Sequence, residues 1–202
     1  DRFDLTEYER KTGKLIIEDD YGSEFRYFNR PTPSLQGLDG GENVVYLGTF
    51  SKLLLPSIRI SFMILPQSFL GEYEQKRELY NQTVSKVDQI ALCSYIRDGH
   101  LNSQIRKSRK LYMQKSKMLC DLLLQKFGEK VKILKSDSPL YVRCVFDLGL
   151  SNEQIYKALY DKGISVINSS ENGEFALLVS SVSINSLEDA TDRMKSSLLL
   201  CQ

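Results

Sequence analysis

VVYLGTFSKLLLPSIRISFMILP, residues 44–66, decides the fold. Residues 44–47 read as a buried strand and 48–52 as a polar turn holding Lys52. Pro56 closes a short link to a second apolar strand over 58–65. A lysine so placed has a low-dielectric sheet behind it and hydroxyls around it. Its amine then loses a proton more easily and can attack a carbonyl. Standing alone, Lys52 reads as a solvated turn residue; its neighbours change that reading.

Upstream, Phe3, Leu5 and Tyr8 suit a helix ending near Thr12 and Gly13. A short strand over 15–18 runs into Asp19-Asp20-Tyr21-Gly22, an acidic turn at a strand's carboxyl end, where open α/β sheets bind ligands. Alternating aromatics follow over 24–29. Residues 30–41 read as loop, because two prolines and three glycines break every pattern. Helix, strand, loop, strand, turn, strand, with near-continuous apolar strands, predicts a mostly parallel sheet covered on both faces. The chain opens on DRFDLTEYERKTGK without a methionine, and is expected to be a fragment of something longer.

Downstream, residues 68–128 read as helical, broken at Gly99-His100, with Asn102 as a cap for a long helix over 102–127. Ile105, Tyr112, Leu119, Leu122 and Leu123 share one face of that helix. Arg106, Lys107, Arg109, Lys110, Lys115 and Lys117 cover the other, which reads as a solvated face, since no aromatic stacking residues accompany it. After Phe127-Gly128, strands over 131–134, 141–147, 164–167 and 175–180 and helices over 153–162 and 187–200 predict a smaller α+β domain. The expected division is 1–100 and 101–202, with the long helix belonging to both parts.

With 27 basic and 26 acidic residues the chain has a formal charge of +1, so no global field draws it to nucleic acid or membrane. Four scattered cysteines and one histidine, His100, in a polar turn give no metal-ligand spacing. They read as reduced thiols. No apolar run is long enough to span a bilayer and no signal peptide is visible, so the expected location is the cytoplasm.

The chemistry lies in two strand ends. A pyridoxal phosphate site needs a lysine to form an imine, a carboxylate to keep the pyridine nitrogen protonated, and a phenol near the ring 3-oxygen. Hydroxyls with an arginine fork must hold the phosphate. Asp19-Asp20-Tyr21, and Thr49-Phe50-Ser51-Lys52 with Arg59 beyond, supply each type.

IIEDDYGSEFRY followed by VVYLGTFSKLLLPSIRISFMILP closely resembles the pyridoxal-phosphate motifs of the fold-type I aminotransferases. It is nearest to the MocR/GabR-type regulators, which join a winged helix-turn-helix domain of the GntR kind to an aminotransferase-like domain. The resemblance implies an α/β fold: part of the large three-layer α/β/α domain of a pyridoxal-phosphate-dependent transferase, followed by the smaller α+β domain. It matches Lys52 to the Schiff-base lysine, Asp19 to the carboxylate on the pyridine nitrogen and Tyr21 to the phenol. Thr49 and Arg59, with Ser51 assisting, match the phosphate ligands. It further implies a homodimer, a small amino acid or amine effector, and DNA contact only through a domain absent from this chain.

The sequence departs from the family in two places. Ser57 and Ser61 stand where glycines are usual, and Ala176 stands where an arginine grips a substrate carboxylate. Without that fork the usual amino-acid recognition is missing. The expected function is therefore a cofactor-binding effector domain of a transcriptional regulator. A working aminotransferase is the alternative, and a cofactor-free dimerisation module the third.

Overall fold

Helix α1 (Arg2–Thr12) is anchored by carboxylates rather than by a broad apolar stripe: its buried residues are Thr6 and Glu9. The structure is a computed structural model that describes residues 2–20, 22–25, 33–136, 138–169 and 173–199. Two compact units emerge. One is built from the described residues within Asp1–Glu24 and Asn29–Arg106, the other from those within Phe25–Phe28 and Lys107–Gln202.

In the first unit α1 is followed by β1 (Ile16–Asp19), α2 (Leu35–Asp39) and β2 (Val44–Thr49), while a 3-10 turn after β1 (Ser23–Phe25) ends on Phe25 of the second unit. A second 3-10 turn (Pro56–Ile58), β3 (Ser61–Ile64), α3 (Gln67–Lys76) and α4 (Lys86–Arg97) come next. Glu18, buried on β1, accepts from the Arg2 guanidinium at 2.8 Å and from the Gln36 N–H at 3.2 Å. One carboxylate thus ties α1, β1 and α2 together. Fully buried Glu9 accepts from the Asn43 side chain at 2.6 Å, and Asp39 accepts from the Asn43 N–H at 2.7 Å. These pairings offset the cost of burying charge.

The strand order is β1-β2-β3. β1 and β2 are parallel, with Ile16 beside Val44 and Asp19 beside Leu47. β2 and β3 are antiparallel, with Tyr46 opposite Ile64 and Thr49 opposite Ser61. A mostly parallel sheet covered on both faces was the expectation; among the described strands there is one pairing of each kind, and β3 is exposed along its length. The reason is the link. The chain from Phe50 to Ile60 is too short for a crossover helix, so it returns antiparallel. The described part of the expected loop, residues 33–41, also differs: α2 forms there, with Ser34 accepting from the Gly37 N–H and Gly40 closing it at φ +80°.

Helix α5 (His100–Phe127) starts in the first unit and continues into the second. There follow β4 (Val131–Leu134), β5 (Tyr141–Phe146), α6 (Asn152–Asp161), β6 (Ile167–Ser169), β7 (Glu174–Leu178) and α7 (Leu187–Leu199). The sheet is antiparallel throughout, in the order β4-β5-β7-β6. Alternation along β5 turns Val142, Cys144 and Phe146 inward. They meet Leu119 and Leu123 of α5, Ile155 and Leu159 of α6, and Met194 and Leu198 of α7 in one apolar core. Each such side chain, fully buried, contributes about 1.5–3 kcal/mol. Lys115 is buried at the edge of this core, its ammonium donating to the Val182 carbonyl at 2.6 Å. No helix among the described residues is long and apolar enough to cross a membrane.

Candidate functional site

The lysine turn is built by the end of β2. The Phe50 N–H donates to the Ile60 carbonyl at 3.0 Å, and the Leu54 N–H to the Phe50 carbonyl at 3.0 Å. The Thr49 hydroxyl accepts from the Ser51 N–H at 3.2 Å and donates to the Ile60 carbonyl at 3.4 Å. Leu53 is 5% exposed and plugs the turn into the core, which leaves Lys52 half-buried at the rim. Pro56 then starts a 3-10 turn, and Arg59 follows it with φ +48° and ψ +33°. Among the described residues Arg59 is the only non-glycine in the left-handed region, where an L side chain is strained.

Two clefts adjoin here. The first, about 330 Å³, is lined by Thr49, Ser51, Lys52, Arg59 and Ser61 among others. The second, about 370 Å³, is lined by Asp19, Gly48, Thr49, Ser61 and Phe62 among others. Thr49 and Ser61 wall both. One amine, one guanidinium and three hydroxyls thus border one hollow, and a carboxylate borders the next. Asp19, Thr49, Ser51, Lys52 and Arg59 all fall in this region of the first unit. Tyr21 lies outside the described residues.

The two neighbouring acids separate by strand alternation. Asp19 is exposed at the end of β1, beside Leu47. Asp20 is buried and accepts from the Tyr46 hydroxyl at 2.8 Å. Burial, and then the hydrogen bond and charge of Asp20, push the Tyr46 phenol well above its usual range, with Glu24 and Glu18 adding to the effect. Tyr46 in turn packs near Phe62, with ring centroids 6.1 Å apart.

Sequence reasoning missed two contributors. Ser61, noted there only as a departure from glycine, lines both clefts. Gly48 lies directly under Phe62: a Cβ added at Gly48 would sit 2.4 Å from the ring. A glycine inside an apolar strand was the available signal. Among the described residues no cluster of His, Cys, Asp or Glu could hold a metal ion.

In the second unit Ala176 pairs with Arg143 on β5 and with Ile167 on β6. Arg143 is ion-paired with Glu174. A guanidinium is therefore present on this sheet face, one strand away from Ala176. Phe25, from the SEFRY run, is 1% exposed and meets Tyr112 edge-on at 5.3 Å.

No protein-family model matches the chain. The chain is 40% identical over 165 residues to the uncharacterized HTH-type transcriptional regulator YhdI of Bacillus subtilis, covering 82% of this chain and 35% of that protein. It is 30% identical over 165 residues to the probable rhizopine catabolism regulatory protein MocR of Rhizobium meliloti, covering 82% of this chain and 34% of that protein. The chain thus spans about a third of the length of these curated relatives. In fold it is similar to the kynurenine aminotransferase of Pyrococcus horikoshii, with a TM-score of 0.81 at 22% identity, over 98% of this chain and 51% of that one.

Proposed function

The chain is a relative of the MocR-type transcriptional regulators with the fold of an aminotransferase, and we propose that it is the pyridoxal-phosphate-binding, effector-sensing part of such a regulator. The carrying observation is the pair of clefts that share Thr49 and Ser61, with Lys52 and Arg59 on one side and Asp19 on the other. That donor set fits the cofactor: two cationic groups and hydroxyls for a phosphate and an aldehyde, and an exposed carboxylate for a protonated ring nitrogen.

Lys52 would hold the cofactor covalently, and Asp19 would pair with its ring nitrogen. Thr49, Ser51 and Arg59 would hold the phosphate, and Tyr21 would donate to the ring 3-oxygen. When bound, the cofactor supplies an electron sink for a carbanion next to an amine. The turn fixes Thr49 in advance through its bonds to Ser51 and Ile60, so little freedom remains to be lost on binding. The Arg59 guanidinium offers a planar fork to phosphate oxygens, which an ammonium lacks. Asp20 is committed to Tyr46 and supports the strand end rather than the ligand.

Ala176 favours sensing over turnover, because the sheet lacks a free fork for a substrate carboxylate at that position. In this reading the whole protein is a cytoplasmic homodimer that responds to a small amino acid or amine. Its DNA-recognition domain lies outside this chain.

The test is spectroscopic. Full-length protein should show the visible absorbance of a lysine-bound cofactor. Lys52→Ala should abolish that band, and Asp19→Ala should weaken cofactor retention. A band that survives Lys52→Ala refutes the assignment. Stoichiometric conversion of an added amino acid to its keto acid would favour transamination instead.

A further inference from the structure

Helix α5 carries a line of cations that the proposed cofactor site does not use. Lys107, Lys110, Gln114 and Lys117 recur at intervals of three and four residues, so they share one stripe. All four are exposed. The opposite side of the helix holds the buried residues Lys115, Leu119, Leu123 and Phe127. The three lysines span roughly 15 Å along the axis at the usual helical rise. They lie within the second unit.

Some of the protein's other helical cations are paired within their own helix. Lys11 pairs with Glu7, Lys76 with Glu72 and Arg193 with Asp189, each four residues apart on one helix. Residues 100–120 of α5 contain no aspartate or glutamate. Among the described residues, none of the three stripe lysines is in an ion pair. Like charges at this spacing work against the helix that carries them. A counter-anion from outside would relieve that repulsion.

We infer that this stripe lies along the phosphate backbone of duplex DNA. The inference rests on the reading of the chain as part of a DNA-bound regulator, and it extends DNA contact to the chain itself. Lysines act on phosphates as point charges and need no base edge, so the contact positions the protein without reading sequence. Leu111 and Met113 are exposed beside the stripe, but its own positions are lysine and glutamine, so charge rather than an apolar centre dominates it.

The experiment is fluorescence anisotropy of full-length protein on a labelled 30-base-pair duplex, titrated between 50 and 200 mM salt. Each lysine that neutralises a phosphate adds about 0.9 to the slope of log affinity against log salt. The variant Lys107→Gln/Lys110→Gln/Lys117→Gln should therefore lose about 2.7 of that slope. Wild-type affinity should fall about 40-fold more than the variant's over this salt range. A control with the same change in charge at other exposed lysines, Lys132→Gln/Lys157→Gln/Lys162→Gln, should keep the wild-type slope. The triple Lys→Arg variant of the stripe should keep it too. Superposition of the stripe variant and the control overturns the inference and leaves the regulator reading intact, provided wild type binds. Failure of wild type to bind the duplex sinks both. Equal competition by polyglutamate overturns the choice of DNA as partner.

Discussion

Arg59 separates backbone strain from ligand binding in one set of substitutions. Its left-handed conformation, φ +48° and ψ +33°, costs an L residue about 1–2 kcal/mol. Glycine does not incur that cost, but it loses about 0.5–1 kcal/mol more than alanine in freedom on folding. The difference predicts that Arg59→Gly apoprotein is about 0.5–1 kcal/mol more stable than Arg59→Ala. In regular structure the order is the reverse. With a urea dependence of about 2 kcal/mol per molar, the midpoint moves by roughly 0.3–0.5 M. Both variants delete the guanidinium. Arg59 is exposed, so the lower end of the range for a charged hydrogen bond applies, and cofactor affinity should fall roughly tenfold in both. Arg59→Lys keeps the charge and the strain but not the fork, and should fall between wild type and Arg59→Ala in affinity. Urea unfolding of the apoproteins and fluorescence titration with the cofactor measure the two effects independently. Greater stability of the alanine variant refutes the strain argument. Unchanged affinity refutes the phosphate role.

Gly48→Ala should destabilise by about 1–3 kcal/mol, because its methyl would overlap the Phe62 ring; Phe62→Ala in the same chain should recover part of the loss, and additive costs in a double-mutant cycle would refute the clash. Tyr46 contributes stability that is fully present below pH 10, its unfolded value, and is lost as pH rises past it, because its folded pKa is raised. Between pH 9 and 11 the unfolding midpoint of Tyr46→Phe should fall less steeply than that of wild type, and parallel curves would count against this. Burial pushes the Cys144 thiol up to about 12, whereas Cys93 is exposed. A thiol-reactive dye at pH 8 should label Cys93 in the folded protein and reach Cys144 only after denaturant is added.

The elements that were legible in the sequence are those whose own residues carry the period. The long helix, the strand over 131–134 and the helices near 153–162 and 187–199 show an apolar face directly, and they stand within a residue or two of expectation. Elements defined by partners were less legible. β6 begins at Ile167 rather than 164 because its bounds are set by pairing with β7, Ile167 beside Ala176. Helix α2 has five residues and no apolar period. It is held by Ser34 at one end, Gly40 at the other and the Glu18 carboxylate from another strand. The caps were present in the sequence, but the glycines that close the helix were read as breakers.

The candidate site divides along the same line. Amine, carboxylate, hydroxyl and guanidinium are chemical identities, so the sequence displays them whatever the fold does. Which of two adjacent acids faces a ligand is a question of strand phase. Thr49 pairs with Ser61 and Asp19 lies beside Leu47, two positions before Thr49; a period of two therefore puts Asp19, Leu47, Thr49 and Ser61 on one face. The same period puts Asp20 on the face of Tyr46, where the hydrogen bond is found. The register that decides between the acids is set by pairing with β2 and β3, roughly thirty residues downstream. Arg59 is the reverse case. Its guanidinium was legible as a group suited to a phosphate, but its left-handed backbone was not, since that region is ordinarily left to glycine. A non-glycine keeps such a conformation only where the surrounding structure over-determines it. Here the 3-10 turn at Pro56 and the Ile60 carbonyl, which receives both Phe50 and Thr49, fix the chain on either side. The strain at Arg59 follows from holding that turn against the end of β2, and it brings the guanidinium to the hollow that Lys52 borders.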